Sequence, residues 1–366
     1  MVGQLGMAKK VYYISLVFFI TCLGCREQFD FEYDEVPDGR VVIDGFITDR
    51  ATSHTVRVSY STTINERGLI ETRFVSDASV RLYDDQGQFT VLTYDQSGLY
   101  LTAPLFKAEE GRSYRLEVVL ANGEVYETAV KALPPASPAV AEVQITPVRR
   151  PVLSNNQLQE EDGISVTSEV LRDGQTHYYQ WLAGRFFIFD ADRAPEFNNV
   201  ANQFCYVRDF TPSRVDVFKD VPTAGQGGTF EYEVDYIPLQ GNTGKMKVEY
   251  GVEARLLTLN QEDFEFWEQV KDLSENNGGL FDAAPFSLRG NVTNQQSGEL
   301  ALGYFGVYRE SVDRHFFQYD ELGFPPVEYL PCILPRPLEL PHPCVDCRDF
   351  DSEVNYGVIR PEWWGN

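Results

Sequence analysis

The chain has 366 residues, 55 acidic and 31 basic, for a formal net charge of −24. That balance excludes a nucleic-acid binder, which needs a basic surface against phosphate, and a protein that docks on anionic lipid through a basic patch. At 43% apolar and 13% aromatic the composition also excludes disorder, and the length suits two or three domains.

Lys9 and Lys10 precede an apolar run from Val11 to Leu23, broken only by Ser15 and Thr21. The run is shorter than the about 20 residues needed to span a bilayer, so it reads as the core of a signal peptide. It ends in Cys22-Leu23-Gly24-Cys25. A small residue before a Cys, just past such a core, is where lipoprotein signal peptidase cuts. Residues 1–24 are therefore expected to leave, and Cys25 to carry the lipid that holds the protein on a membrane. Cys22 stands where this motif usually has an aliphatic residue. The alternatives are a plain secretory signal or an uncleaved signal anchor. Residues 25–39, rich in Asp and Glu, read as a solvated tether.

Residues 40–132 read as short strands between turns. Arg40–Thr48 is a β-branched run, and His54–Tyr60 and Ala78–Tyr83 alternate apolar with polar. Asp84–Gly87 and Gln96–Gly98 are turns, and Ala121-Asn122-Gly123 joins Ser113–Leu120 to Glu124–Val130. Seven or eight strands with turns every 8–12 residues predict a β-sandwich.

The proline-rich stretch 133–139 is the expected linker. The second region, 140–322, predicts strands at Val140–Pro147, His177–Asp190, Cys205–Phe210, Thr229–Ile237, Lys245–Leu257 and Leu300–Tyr308. Surface loops are expected around 149–163 and 191–203. One helix is expected at 260–274, with Asn260 as N-cap, Glu262 and Asp263 in its first turn, and Phe264, Trp267 and Val270 facing the sheet. The Pro/Cys-rich tail 323–366 has no periodicity and is expected to run over the surface with Trp363 and Trp364 docked. The fold class expected is all-β: two tandem immunoglobulin-like β-sandwich domains, one helix inserted in the second, and an irregular tail stapled by disulfides.

Cys205, Cys332, Cys344 and Cys347 remain after export, and four such Cys suggest two disulfides in one of three pairings. The alternative is a Cys₄ zinc site using the Cys344-x-x-Cys347 spacing. No nucleophile elbow, zinc-protease motif, phosphate loop, dinucleotide fingerprint or EF-hand loop is present. His54, His177, His315 and His342 have no metal spacing and read as surface or packing residues. Asp190 and Asp192, with Asn198 and Asn199, are the best oxygen-ligand cluster but lack the calcium-loop order, so a solvated loop is expected. Tyr178, Tyr179, Trp181, Phe186, Phe187 and Phe189 read as a core strand rather than a sugar platform. No catalytic residue, metal or cofactor is therefore assigned, and the chain is expected not to be an enzyme.

Several segments together resemble a Bacteroidota lipoprotein family known only as domain of unknown function 4249. They are Val41–Thr48; Val75–Leu82; Gly98-Leu99-Tyr100; Gly111–Val118; the helix with Gly278 and Gly279; Gly303–Gly306; and Cys344–Arg348 with Arg360–Trp363. The acidic stretch after Cys25 resembles the surface-export signal of such lipoproteins. The first region is also similar to small sandwich modules that precede many TonB-dependent transporters. The resemblance brings no established activity and no catalytic residues. It implies a lipid-anchored outer-membrane protein, exposed at the cell surface if the acidic stretch acts as that signal, serving as accessory or ligand-binding scaffold to a TonB-dependent transporter. The alternatives are an envelope structural or adhesive protein, and a surface glycan hydrolase using loop carboxylates.

Overall fold

A computed structural model describes residues 39–61, 63–64, 70–137, 140–154, 157–191, 202–211, 214–221, 228–275, 288–326 and 341–365. The expected signal peptide, nearly all of the tether, Cys25, Cys332, Asp192, Asn198 and Asn199 lie outside these residues. Arg40–Asn366 is one compact unit, and strand predominates in it, as the all-β expectation requires.

The strands of the first region are β1 (Val41–Thr48), β2 (Thr55–Tyr60), β3 (Thr63–Ile64), β4 (Ile70–Glu71), β5 (Ser79–Asp84), β6 (Phe89–Tyr94), β7 (Leu99–Leu101), β8 (Ser113–Val119), β9 (Val125–Thr128) and β10 (Lys131–Ala132). Then come β11 (Val140–Ser154), β12 (Gln157–Arg172), β13 (His177–Asp190), β14 (Phe204–Arg208), β15 (Asp216–Asp220), β16 (Gly228–Pro238) and β17 (Tyr250–Leu259). Helix α1 (Gln261–Glu275) is followed by β18 (Val292–Asn294), β19 (Phe305–Phe317) and β20 (Val354–Asn355).

One large sheet runs in the order β18-β9-β8-β5-β6-β7-β2-β1-β19-β17-β13-β14-β20, with β10 on β8 and β15 on β13. A smaller sheet has the order β11-β12-β16, and β3 pairs with β4. The stretch 133–139 is not a divide in this pairing. β18 adds to β9. β19 runs parallel to β1 from Gly45↔Phe305 to Thr48↔Tyr308, then antiparallel to β17 from Thr258↔Arg309 to Tyr250↔Phe317. A parallel partner needs a long connection, and here most of the second region supplies it.

Two main apolar clusters follow from period-2 alternation. In the first, Ile43, Ile47, Val56, Val58, Leu82 and Leu116 meet Val292, Phe305 and Val307. In the second, Val143, Ile164, Val166 and Ile237 of the three-stranded sheet meet Tyr179, Trp181, Phe187, Val252, Ala254 and Leu256 of the large one. The aromatic strand is thus a core strand, as expected.

Three expectations need correction. The loop expected around 149–163 is instead the long arm of a β11–β12 hairpin. Its polar side chains look like loop residues but satisfy each other across the ladder: Arg149 lies opposite Asp162 and binds it with Nε 2.6 Å from Oδ1. The strand expected from Lys245 starts at Tyr250, because Thr243–Met246 forms a 3₁₀ turn, with Lys245 N–H on the Asn242 carbonyl and Met246 fully buried. The strand expected at Leu300–Tyr308 starts at Phe305 and continues to Phe317. Its charged second half breaks the apolar pattern, yet β17 supplies ion-pair partners for it.

The helix begins one residue later than expected. Asn260 accepts the first helical bond through its carbonyl, from Phe264 N–H, but its side-chain amide donates to the Ala132 carbonyl at 2.8 Å. Phe264 packs with Val217, Leu257 and Leu259, and Trp267 Nε1 donates to Tyr308 Oη at 3.1 Å. Lys131 reaches the helix from the first region, with Nζ 2.8 Å from the fully buried Asp263 carboxylate.

Candidate functional site

Alternation along β17 sends Val252, Ala254 and Leu256 into the second cluster, and so turns Glu253, Arg255 and Leu257 to the opposite face. Register sets Gly184, Glu253 and Arg314 in one row of that face, and Leu182, Arg255 and Val312 in the next. α1 covers one end of the face through Phe264 on Leu257 and Leu259. The C-terminal Trp364, 1% exposed, covers the other, with ring centroids 5.5 Å from Phe316 and 5.0 Å from Tyr206. Both tail tryptophans were expected to dock; Trp363 is half-buried against Phe186 at 4.8 Å.

Between these covers lies a cleft of about 300 Å³, with residues 50 and 52–55 of the first region as a further wall. Two strand glycines make room in this face. A Cβ on Gly184 would come within 3.1 Å of the Glu253 side chain, and one on Gly251 within 2.5 Å of the Phe316 ring.

The cleft is lined by four arginines (Arg50, Arg208, Arg255 and Arg314) and two glutamates (Glu253 and Glu310), a formal balance of 4 − 2 = +2 in a chain of net −24. Glu310 accepts from Arg255 Nε at 2.9 Å and from Thr48 Oγ1 at 2.7 Å, with Arg50 Nη1 3.6 Å away. Burial acts to raise its carboxyl pKa, but the Arg255 charge, the Thr48 hydroxyl and Arg50 together hold it below the ordinary 4.5. Glu253 accepts from Arg314 Nε at 2.7 Å, and the Arg314 guanidinium lies 4.7 Å from the Trp363 ring centroid. Arg208 lies over Phe186 and pairs with Glu353 at 3.2 Å. His54 is buried, which pushes its imidazole below the usual 6.5, so it stands neutral at pH 7 with Nε2 3.1 Å from the Phe106 carbonyl. A second hollow of about 380 Å³ sits beside the β11–β12 hairpin; its charged lining, Glu160, Glu161 and Asp162, has the sign of the whole chain.

The other expected site residues are scattered. Cys205 is joined to Cys347 with Cα atoms 5.5 Å apart, which removes the zinc alternative for this pair. Cys344 is also disulfide-bonded. Asp190 binds Lys247 Nζ at 2.9 Å and Gln203 Nε2 at 3.0 Å, so it is a salt-bridged strand end. His177 pairs with Asp173 at 2.9 Å, His315 stacks on Phe317 within β19, and His342 Nδ1 accepts from Cys344 N–H at 3.2 Å. Among the described residues no group of three or more His, Cys, Asp or Glu could hold a metal ion, and no helix is long and apolar enough to cross a membrane.

The cleft has no local sequence motif because its parts lie on separate strands. One signal was present: opposite charges at alternate positions of an apolar strand, Glu253 and Arg255, next to a strand glycine, Gly251. Such a face is neither core nor ordinary surface.

Residues 26–314 match the family described as a domain of unknown function, DUF4249, and the chain belongs to that family. No curated protein matches the sequence.

Proposed function

We propose that this family member is a non-catalytic, ligand-binding scaffold, anchored in the outer membrane by lipid on Cys25 and serving as accessory to a TonB-dependent transporter. The observation that carries the binding part is the cleft. It is built on the central strands of a large sheet, and both of its carboxylates are committed to arginines, with side chains 4% and 2% exposed at Glu253 and Glu310. A carboxylate whose oxygens are already taken up by a guanidinium is poorly placed to reach a substrate proton and is a good strut for a binding site. The Cys22-Leu23-Gly24-Cys25 motif supports the anchor. The two main apolar clusters support a finer reading of the fold as two immunoglobulin-like sandwiches that share β19.

Mild-detergent purification of the tagged protein from its native membrane tests the proposal. A stoichiometric TonB-dependent transporter is the expected companion, and Cys25→Ala should move the protein to the soluble fraction. A protein that comes out alone, or stays fully membrane-bound without Cys25, defeats the accessory or the anchor reading respectively. An adhesive role is the second reading, favoured by the β11–β12 hairpin, where Leu153 and Leu158 pair across the strands while 72% and 74% exposed.

A further inference from the structure

We infer that the cleft binds a small organic anion, with its acid group between the guanidinium groups of Arg50 and Arg255. This rests on the binding half of the proposal above and is independent of the transporter. Both arginines face one Glu310 oxygen, Arg255 through Nε at 2.9 Å and Arg50 through Nη1 at 3.6 Å. One carboxylate balances one of these charges and leaves the other uncompensated.

Arg255 has no hydrogen bond from its two terminal nitrogens among the described residues. The Arg255 and Arg50 side chains are 23% and 37% exposed. Their free N–H groups are therefore available from the cleft, and a guanidinium fork matches the two oxygens of a carboxylate or phosphate. The remaining two arginines are already engaged: Arg314 on Glu253 and Trp363, Arg208 on Glu353. The excess positive charge thus sits at the Arg50–Arg255 end.

Tyr356 and Trp363, both half-buried, also line the cleft, and they offer rings to the body of a ligand whose acid end is held by the arginines. The volume, about 300 Å³, falls at the low end of the ~300–1,000 Å³ typical of small-molecule sites. A chain of net −24 repels large polyanions at long range, which restricts the ligand to a small one. The site is preorganised: Arg255 lies on a central strand, and Thr48 and Asp49 fix Glu310 by its side chain and its backbone N–H.

The test uses the full chain in detergent, titrated with acetate, inorganic phosphate, glucuronate and, as neutral control, glucose. It is followed by calorimetry and by the arginine Nε–H resonances. At least one oxyanion should bind, and glucose should not. Added sodium chloride should weaken the binding. Carboxylate and phosphate arms tell which acid group fits. Arg50→Gln should weaken binding about tenfold, the loss expected for one charge-assisted hydrogen bond. It should move the urea midpoint only slightly, because Arg50 sits at the rim and gives up one part-exposed ion pair of 3.6 Å. Arg255→Lys keeps the charge next to Glu310 and removes the fork; it should weaken binding likewise. Oxyanions that bind no better than glucose, or bind equally to wild type and both variants, overturn the inference. Co-purification of a transporter with Arg50→Gln keeps that outcome separate from the accessory reading.

Discussion

Glu310→Gln should weaken the fold and strengthen anion binding together. The side chain is 2% exposed and holds two hydrogen bonds, to Thr48 Oγ1 and Arg255 Nε, with Arg50 close by. An amide keeps the shape but loses the charge; its oxygen can still accept from Arg255 Nε and its NH₂ can donate to the Thr48 hydroxyl, so what is lost is the ion pair. Losing a buried ion-pair partner costs about 3–5 kcal/mol when both ions are dry. Here Arg255 and Arg50 reach water, so a loss of about 1.5–3 kcal/mol, that of a charge-assisted bond, is the better figure.

The pH dependence gives the sharper test. The Glu310 carboxyl is held below its ordinary value of 4.5 in the fold, so the unfolded chain takes up its proton first on acidification. The stabilisation from its charge is fully present above 4.5 and is lost as pH falls through the lower folded value. Urea melts of wild type and variant should differ most at neutral pH and converge in acid. A gap that stays constant across that range, or no gap at neutral pH, refutes the account of Glu310 as a charged strut.

The Cys205–Cys347 bond closes 142 residues, for which loop-closure entropy predicts about 5 kcal/mol, with measured losses more often about 2–4 kcal/mol. Urea denaturation of the Cys205→Ala, Cys347→Ala double variant should show such a loss with native circular dichroism kept, because β20 on β14 and the docked Trp364 still hold the tail; an unchanged midpoint would count against the bond as a stabiliser. Trp364→Ala empties a fully buried site between Phe186, Tyr206 and Phe316 and should cost about 3–5 kcal/mol. Half-buried Trp363→Ala should cost clearly less, and equal costs would mean that the tail is not seated as described.

Much of the fold was readable where one face of a strand is buried. Val80 and Leu82 of β5, and Tyr114, Leu116 and Val118 of β8, alternate in the sequence as they do in the core. Reading failed where polar residues pair across strands. Arg149, Asp162 and Arg314 look like solvent-facing residues one at a time and become strand positions only through their partners, Arg149 with Asp162 and Arg314 with Glu253. Pairing at long range is invisible to local pattern, which is why β18 and β19 could not be placed beside β9 and β1. The cleft was hidden for the same reason: Thr48, Arg255 and Glu310 are far apart in the chain and meet only through β19. The Cys205–Cys347 bond fits the expectation of disulfides drawn from the number of cysteines and an expected export, but which cysteine meets which was readable only from the fold.

The shared strand also bears on how the chain acquires its structure. β1 finds its parallel neighbour 260 residues later, Gly45 opposite Phe305. A chain made from its N-terminus therefore presents an open β1 edge until almost all of it has appeared. The other end of the first region's strands waits as well, since β18 covers β9. A fragment that stops at residue 132 would carry two bare ladder edges and lack Val292, Phe305 and Val307 from its core, which is the profile of an aggregating species. Completing the first region before the second is closed to this topology, because β18 and β19 supply its last strands.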